Sequence, residues 1–214
     1  MEPLTEDFHL GAAVYSSEGK HVGTVKRTLV RESDFELRAI VVEESKVFKG
    51  HLLAPGALGL EDDLVVSIDA VRSVTHERVD LALTSAEVRQ LPPYLRYRPA
   101  TRTPGAEFAA WSAAFGGNPG VFPIEEVASR PRDEIEIDAG ENVMIGHTGH
   151  KLGQVSDVLF DNTELIGVVV NPDGFFKKPV MLPRRFLGRS DDLSLFVELT
   201  EDEATNLELF KPTD

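Results

Sequence analysis

Short apolar runs separated by turn residues fill this chain, and they occur in two ordered sets. In the first, Ala13-Val14-Tyr15 leads into Ser16-Ser17-Glu18-Gly19-Lys20. There Gly19 supplies the positive φ that a tight hairpin needs. A strand is expected from about His21 to Val30, interrupted at Gly23, where glycine marks a bulge or sharp bend. Phe35–Val42 and Val47–Leu53 read as the next strands. Leu64–Leu83 alternates around a break at His76-Glu77-Arg78, as a hairpin does.

The second set repeats the first. Gly11-x-x-Val14, Gly19, Val22-Gly23-x-Val25, Ala39-Ile40-Val41-Val42 and Pro55 are matched by Gly140-x-x-Val143, Gly149, Leu152-Gly153-x-Val155, Gly167-Val168-Val169-Val170 and Pro183. Such self-similarity fixes architecture before any single residue does. Each set closes on a capping box, Thr84-Ser85-Ala86-Glu87 and Thr200-Glu201-Asp202-Glu203. The first of these helices must stop at Pro92-Pro93-Tyr94. The second set is about a dozen residues shorter between Pro183 and Leu199 than the first is between Pro55 and Leu83. One strand of its last hairpin is therefore expected to be reduced or lost.

The pattern predicts a mainly β chain of two small barrels in tandem, each ending in a short helix. The first barrel covers residues 8–94, a Pro/Gly-rich linker 95–137, and the second barrel 138–214. Within the linker, four alanines favour a short helix over 105–115. On it Phe108, Trp111 and Phe115 share one face, either packed on the barrels or presented to a partner.

Composition narrows the function. There are no cysteines, which excludes disulfides, thiolate chemistry and Cys-ligated metal. No apolar run approaches the roughly 18 residues of a membrane span, and the acidic start Met1–Asp7 is unlike a secretory signal. A cytoplasmic protein is expected. The net charge of −14 disfavours nucleic acid. The second unit holds half of it, with 14 acidic against 7 basic residues, yet Lys177, Lys178, Arg184, Arg185 and Arg189 cluster there. This basic strip and the linker aromatics are the candidate partner surface.

The opening Gly-x-x-Val, the Glu18-Gly19 turn before Val22-Gly23-x-Val25, and the ending Leu83-Thr84…Leu91-Pro92-Pro93-Tyr94 resemble the PRC-barrel family. That family includes the cytoplasmic domain of the photosynthetic reaction-centre H subunit and the C-terminal domain of a ribosome maturation factor, RimM. The second unit matches through Pro183 but ends Leu207-Glu208-Leu209-Phe210. The resemblance implies small closed β-barrels that serve as non-catalytic contacts with other proteins, and it brings no catalytic set or cofactor.

The residues themselves point the same way. His147-Thr148-Gly149-His150 is the one metal-like spacing, but two histidines fall short of the three or four ligands zinc takes. A third would have to be His51 or His76. The segment reads otherwise as a solvated hairpin turn. The pairs Glu43-Glu44, Asp62-Asp63 and Asp191-Asp192 read as turn and strand residues, not as acid–base couples. No phosphate loop, nucleophile elbow or dinucleotide fingerprint occurs. The expectation is a protein-interaction or assembly module without enzymatic activity, cofactor or metal, open to self-association. A ribosome- or RNA-maturation factor, by analogy with RimM, and a metal-dependent binder or enzyme using His147 and His150 are the alternatives.

Overall fold

A computed structural model of the protein describes residues 8–45, 48, 63–99, 124–128, 133–173, 178–190 and 194–210. The first unit comprises β1 (Ala13–Tyr15), β2 (His21–Arg31), β3 (Leu37–Glu44), β4 (Leu64–Ser67), a 3-10 turn (Ile68–Ala70), β5 (Val71–Thr75), β6 (Arg78–Leu81) and α1 (Ser85–Val88). Between the units lie β7 (Leu95–Pro99), β8 (Ile124–Ala128) and β9 (Glu134–Asp138). The second unit comprises β10 (Asn142–Ile145), β11 (Lys151–Asp161), β12 (Glu164–Pro172), β13 (Val180–Pro183), a 3-10 turn (Arg184–Phe186), β14 (Leu187–Ser190), β15 (Ser194–Val197) and α2 (Glu201–Thr205).

The two sheets have the same strand order, β4-β3-β2-β1-β6-β5 and β13-β12-β11-β10-β15-β14. In each, the first strand of the unit pairs antiparallel with the second and parallel with the sixth, Val14 facing Val79 as Val143 faces Leu195. Their bulges coincide as well. Register shifts fall between Val25 and Arg27 on β2, and between Val155 and Asp157 on β11. These are two β-barrels of one topology.

Against β1 the register shifts between Gly23 and His21, so Gly23 borders a bulge as expected. Paired with Glu44, it lets β2 and β3 approach so closely that a Cβ would lie 1.9 Å from the Glu43 carbonyl oxygen. Gly153 does the same against Asn171 at 2.2 Å. The hairpin glycines behave as expected, with φ of 73° at Gly19 and 69° at Gly149. Both capping boxes form, each threonine accepting from its N3 amide while the N3 glutamate accepts from the threonine N–H.

Two expectations about the repeat are corrected. The second unit keeps both strands of its last hairpin, β14 and β15, at four residues each. Its missing residues lie earlier: nineteen residues separate β3 from β4, but only seven separate β12 from β13. Pro183 therefore corresponds to Ser67, not to Pro55. Gly167 faces Pro183 as Ala39 faces Ser67, and both residues lead into their 3-10 turns at φ −60°, ψ 144°. The strand beside β3 is Leu64–Ser67, and Phe48 occupies a helical turn, so no strand passes through it. Phe48 is nonetheless fully buried.

The repeat also runs further than its sequence suggested. After α1 the chain returns along β4, with Val65 N–H to Pro92 O and Tyr94 N–H to Asp63 O. After α2 it returns along β13, with Met181 N–H to Glu208 O and Phe210 N–H to Pro179 O. Phe210 thus stands where the first unit has Tyr94.

The units do not stand apart. Core residues of both, from Val14, Val25 and Ile40 to Val155, Val168 and Leu195, belong to one continuous cluster. Phe8 meets Phe160 edge-on at 6.3 Å between ring centres. At the hairpin tips the backbones bond reciprocally. Leu37 N–H donates to Thr163 O at 2.7 Å, and Leu165 N–H donates to Phe35 O at 2.9 Å. Leu165 and Thr163 are the repeat counterparts of Leu37 and Phe35, so this contact is isologous, like that of a two-fold dimer.

β9, expected to be linker, is a strand of the first sheet: Glu134–Asp138 pairs antiparallel with Arg31–Arg27 of β2. The segment leading into the second barrel therefore lies on the first. The segment leading into the first barrel lies on the second, where His9 Nδ1 and Leu10 N–H both reach the Asp157 carboxylate of β11. Each barrel lends its entering arm to the other.

Candidate functional site

The exchanged arms concentrate charge in two equivalent places. The bulge on β2 turns Arg27 outward onto β9; the bulge on β11 turns Asp157, its counterpart, onto the other arm. Asp138 is likewise the counterpart of His9. The pair is conserved in geometry and inverted in sign: Arg27 Nε lies 3.1 Å from Asp138, and His9 Nδ1 lies 2.6 Å from Asp157.

Around Arg27 the cluster is larger. Its guanidinium meets Glu136 at 2.7 Å, lies 4.0 Å from Asp63, and sits 4.8 Å from the centre of the Tyr94 ring. The Tyr94 hydroxyl donates to Glu136, and Lys26 reaches Asp63 at 3.2 Å. Glu136 N–H donates to Ser190 Oγ of β14, tying the seam to the second barrel. Burial pushes the Asp138 carboxyl up; Arg27 opposes this and Glu136 adds to it. Burial pulls the Arg27 guanidinium down, but Asp138 and Glu136 more than restore it, leaving it raised. This chemistry fastens β9, Tyr94 and β2 together.

A second feature is open to solvent. At the end of the second barrel, a groove of about 530 Å³ is lined by His147, Arg189, Phe196, Glu198, Leu199 and Glu203, among others. Arg189 lies over the Phe196 ring at 4.9 Å, and Arg185 over Phe186 at 4.7 Å. Thr200 N–H and Oγ1–H both donate to the Glu203 carboxylate, holding it below the usual carboxylate range.

The sequence-predicted surface therefore divides. Arg189 lines the groove, and Arg185 acts electrostatically on Glu203 at its wall. Arg184 points elsewhere, to Glu164 and over Phe35 at the junction of the barrels. Lys178 is exposed. Lys177, Phe108, Trp111 and Phe115 lie outside the described residues, as does the expected helix over 105–115.

His147 borders the groove, while His76 meets His9 edge-on at 4.1 Å between ring centres, part of the opposite arm's contact. Among the described residues no three His, Cys, Asp or Glu side chains gather as a metal site. Sequence reasoning missed Phe196, Arg27 and Glu136. Aligning His9 with Asp138 and Arg27 with Asp157 would have exposed the inverted pair.

No helix among the described residues is long and apolar enough to cross a membrane. A search of the curated proteins returns no match to the chain. Residues 10–80 match the family model described as PRC-barrel domain, a span running from just before β1 into β6. The first barrel of this chain is thus a PRC-barrel domain, and the second repeats it strand for strand.

Proposed function

We propose that the protein is a non-catalytic interaction module, in which two barrels are locked into one body and present a partner-binding face on the second. The observation that carries this reading is the groove with its stacked Arg189–Phe196 pair and the neighbouring Arg185–Phe186 pair. Arginines held over aromatic rings are pre-ordered, and these residue types dominate the energetics of protein interfaces. The locking of the barrels favours the same reading, because a rigid face loses less conformational entropy on binding. The inverted charge pairs at the two arms fix the relative placement of the barrels.

Pull-down with the full tagged chain at moderate salt tests the reading. A stoichiometric protein partner, lost with Arg185→Ala/Arg189→Ala, is the expected result. Capture of ribosomal subunits or RNA that survives the double substitution would replace it with a maturation-factor role.

A further inference from the structure

The duplicated fold provides an internal comparison for the groove. In the first barrel the equivalent position is closed by the chain itself. The Glu18 carboxylate accepts from the Ser85 N–H at 3.0 Å, and Ser16 Oγ lies 3.2 Å from Ser85 Oγ in a buried pair. That contact holds the Glu18 carboxyl below its ordinary value. Beside it, Asp80 is occupied by Arg78 and Ser73.

The second barrel changes each of these parts. Its turn is one residue longer, with Gly146, His147, Thr148 and Gly149 in place of Ser17, Glu18 and Gly19 and no carboxylate among them. Ile145 stands at the position of Ser16, Phe196 at that of Asp80 and Arg189 at that of Ser73. The carboxylate that closes the first barrel has gone, and a cation over an aromatic floor has appeared in its place. Neither His147 nor Arg189 has an ion-pair partner among the described residues.

Resting on the interaction-module reading, we infer that the second barrel's groove takes one carboxylate side chain, an Asp or Glu, from a turn of a partner protein. The incoming group lies against Arg189 and His147 with its methylenes on Phe196 and Leu199. It thereby supplies from outside what Glu18 supplies to the first barrel from within. Glu198 and Glu203 in the lining, with the acidic surroundings, repel a polyacidic tract, so the site selects a single carboxylate. The first barrel, closed by Glu18, does not compete, and each chain takes one partner.

The test uses the full chain, labelled with nitrogen-15 and titrated with N-acetylglutamate N-methylamide, whose only carboxylate is the side chain. Expected are saturable amide shifts at Gly146, Gly188 and Phe196, weakened at least fivefold in Arg189→Gln and absent with the glutamine analogue. His147→Glu, which restores a carboxylate of the chain's own, abolishes these shifts without lowering the melting temperature.

Equal shifts from the glutamine analogue, unchanged binding in Arg189→Gln, or no shift up to the solubility limit of the probe would overturn the proposal. So would self-association that disappears in Arg189→Gln, since the occupant would then be a second copy. A protein partner retained equally by Arg189→Gln and His147→Glu in pull-down would refute the groove while leaving the module reading standing.

Discussion

Replacing Arg27 by methionine removes the cation on which the seam converges while keeping much of its apolar stem. In the native protein Arg27, Asp63 and Glu136 have side-chain exposures of 17 %, 3 % and 8 %. After the change, Asp63, Glu136 and Asp138 lose the guanidinium they share, while Lys26 stays beside Asp63, so buried carboxylates lose much of their compensation. Breaking such a pair by removing one partner costs about 3–5 kcal/mol. For a chain of this size each kcal/mol moves the melting temperature by about 2–4 °C, so a drop on the order of 10 °C is expected.

The pH dependence has a definite sign. Asp138 already has a folded pKa raised by burial, and loss of Arg27 removes the main opposing influence. A carboxyl raised on folding contributes most below its unfolded pKa, and that contribution is lost as pH rises through the folded value. The deficit of Arg27→Met is therefore largest near neutrality and narrows as pH falls toward about 4, the ordinary carboxylate range, as Asp138 takes up its proton. Urea unfolding at both pH values measures it. A deficit below about 1 kcal/mol, the scale of a surface pair, or one equal at the two pH values, would refute the reasoning.

Asp157→Ala strips two acceptors from the opposite arm, leaving Leu10 N–H without its 3.0 Å bond; a loss of about 2 kcal/mol in urea unfolding is expected. Tyr94→Phe deletes the hydroxyl bound to Glu136, and calorimetry should show a cost of about 1.5–3 kcal/mol, typical of bonds to charged groups. Gly23→Ala and Gly153→Ala each drive a Cβ into a strand carbonyl and should destabilise by about 3 kcal/mol or more, whereas Gly146→Ala meets only an oxygen at 3.6 Å and should be silent. Thr84→Ala and Thr200→Ala should each cost about 1 kcal/mol, matching one another because the two caps are equivalent.

Much of the architecture was legible because it is stated twice. The Gly23 and Gly153 contexts, the apolar strands Ala39–Val42 and Gly167–Val170, and both Thr-x-x-Glu caps carry local signals that a single sequence displays. The loop deletion was misplaced because two prolines at equal spacing suggested an equivalence. Strand register, which pairs Pro183 with Gly167 and Ser67 with Ala39, is not encoded in spacing.

The arm exchange was hidden for a different reason. Glu134–Asp138 alternates as a strand does, but nothing local says which sheet it joins, and the outcome depends on contacts more than 100 residues apart. The groove was half visible. Arg189 was singled out by charge, while Phe196 lay on a strand whose aromatic could equally have faced inward.

Hydrogen exchange at the Leu37 and Leu165 amides tests the central claim, that two barrels make one body about a local two-fold. Both amides sit beside hairpin tips and donate across the junction, to Thr163 O and Phe35 O. Protection comparable to that of the central β2 and β11 amides, and matched between the two sites, is the expected result. Exchange at the rate of exposed loop tips would contradict it, because each hairpin would then end in water and the barrels would be independent.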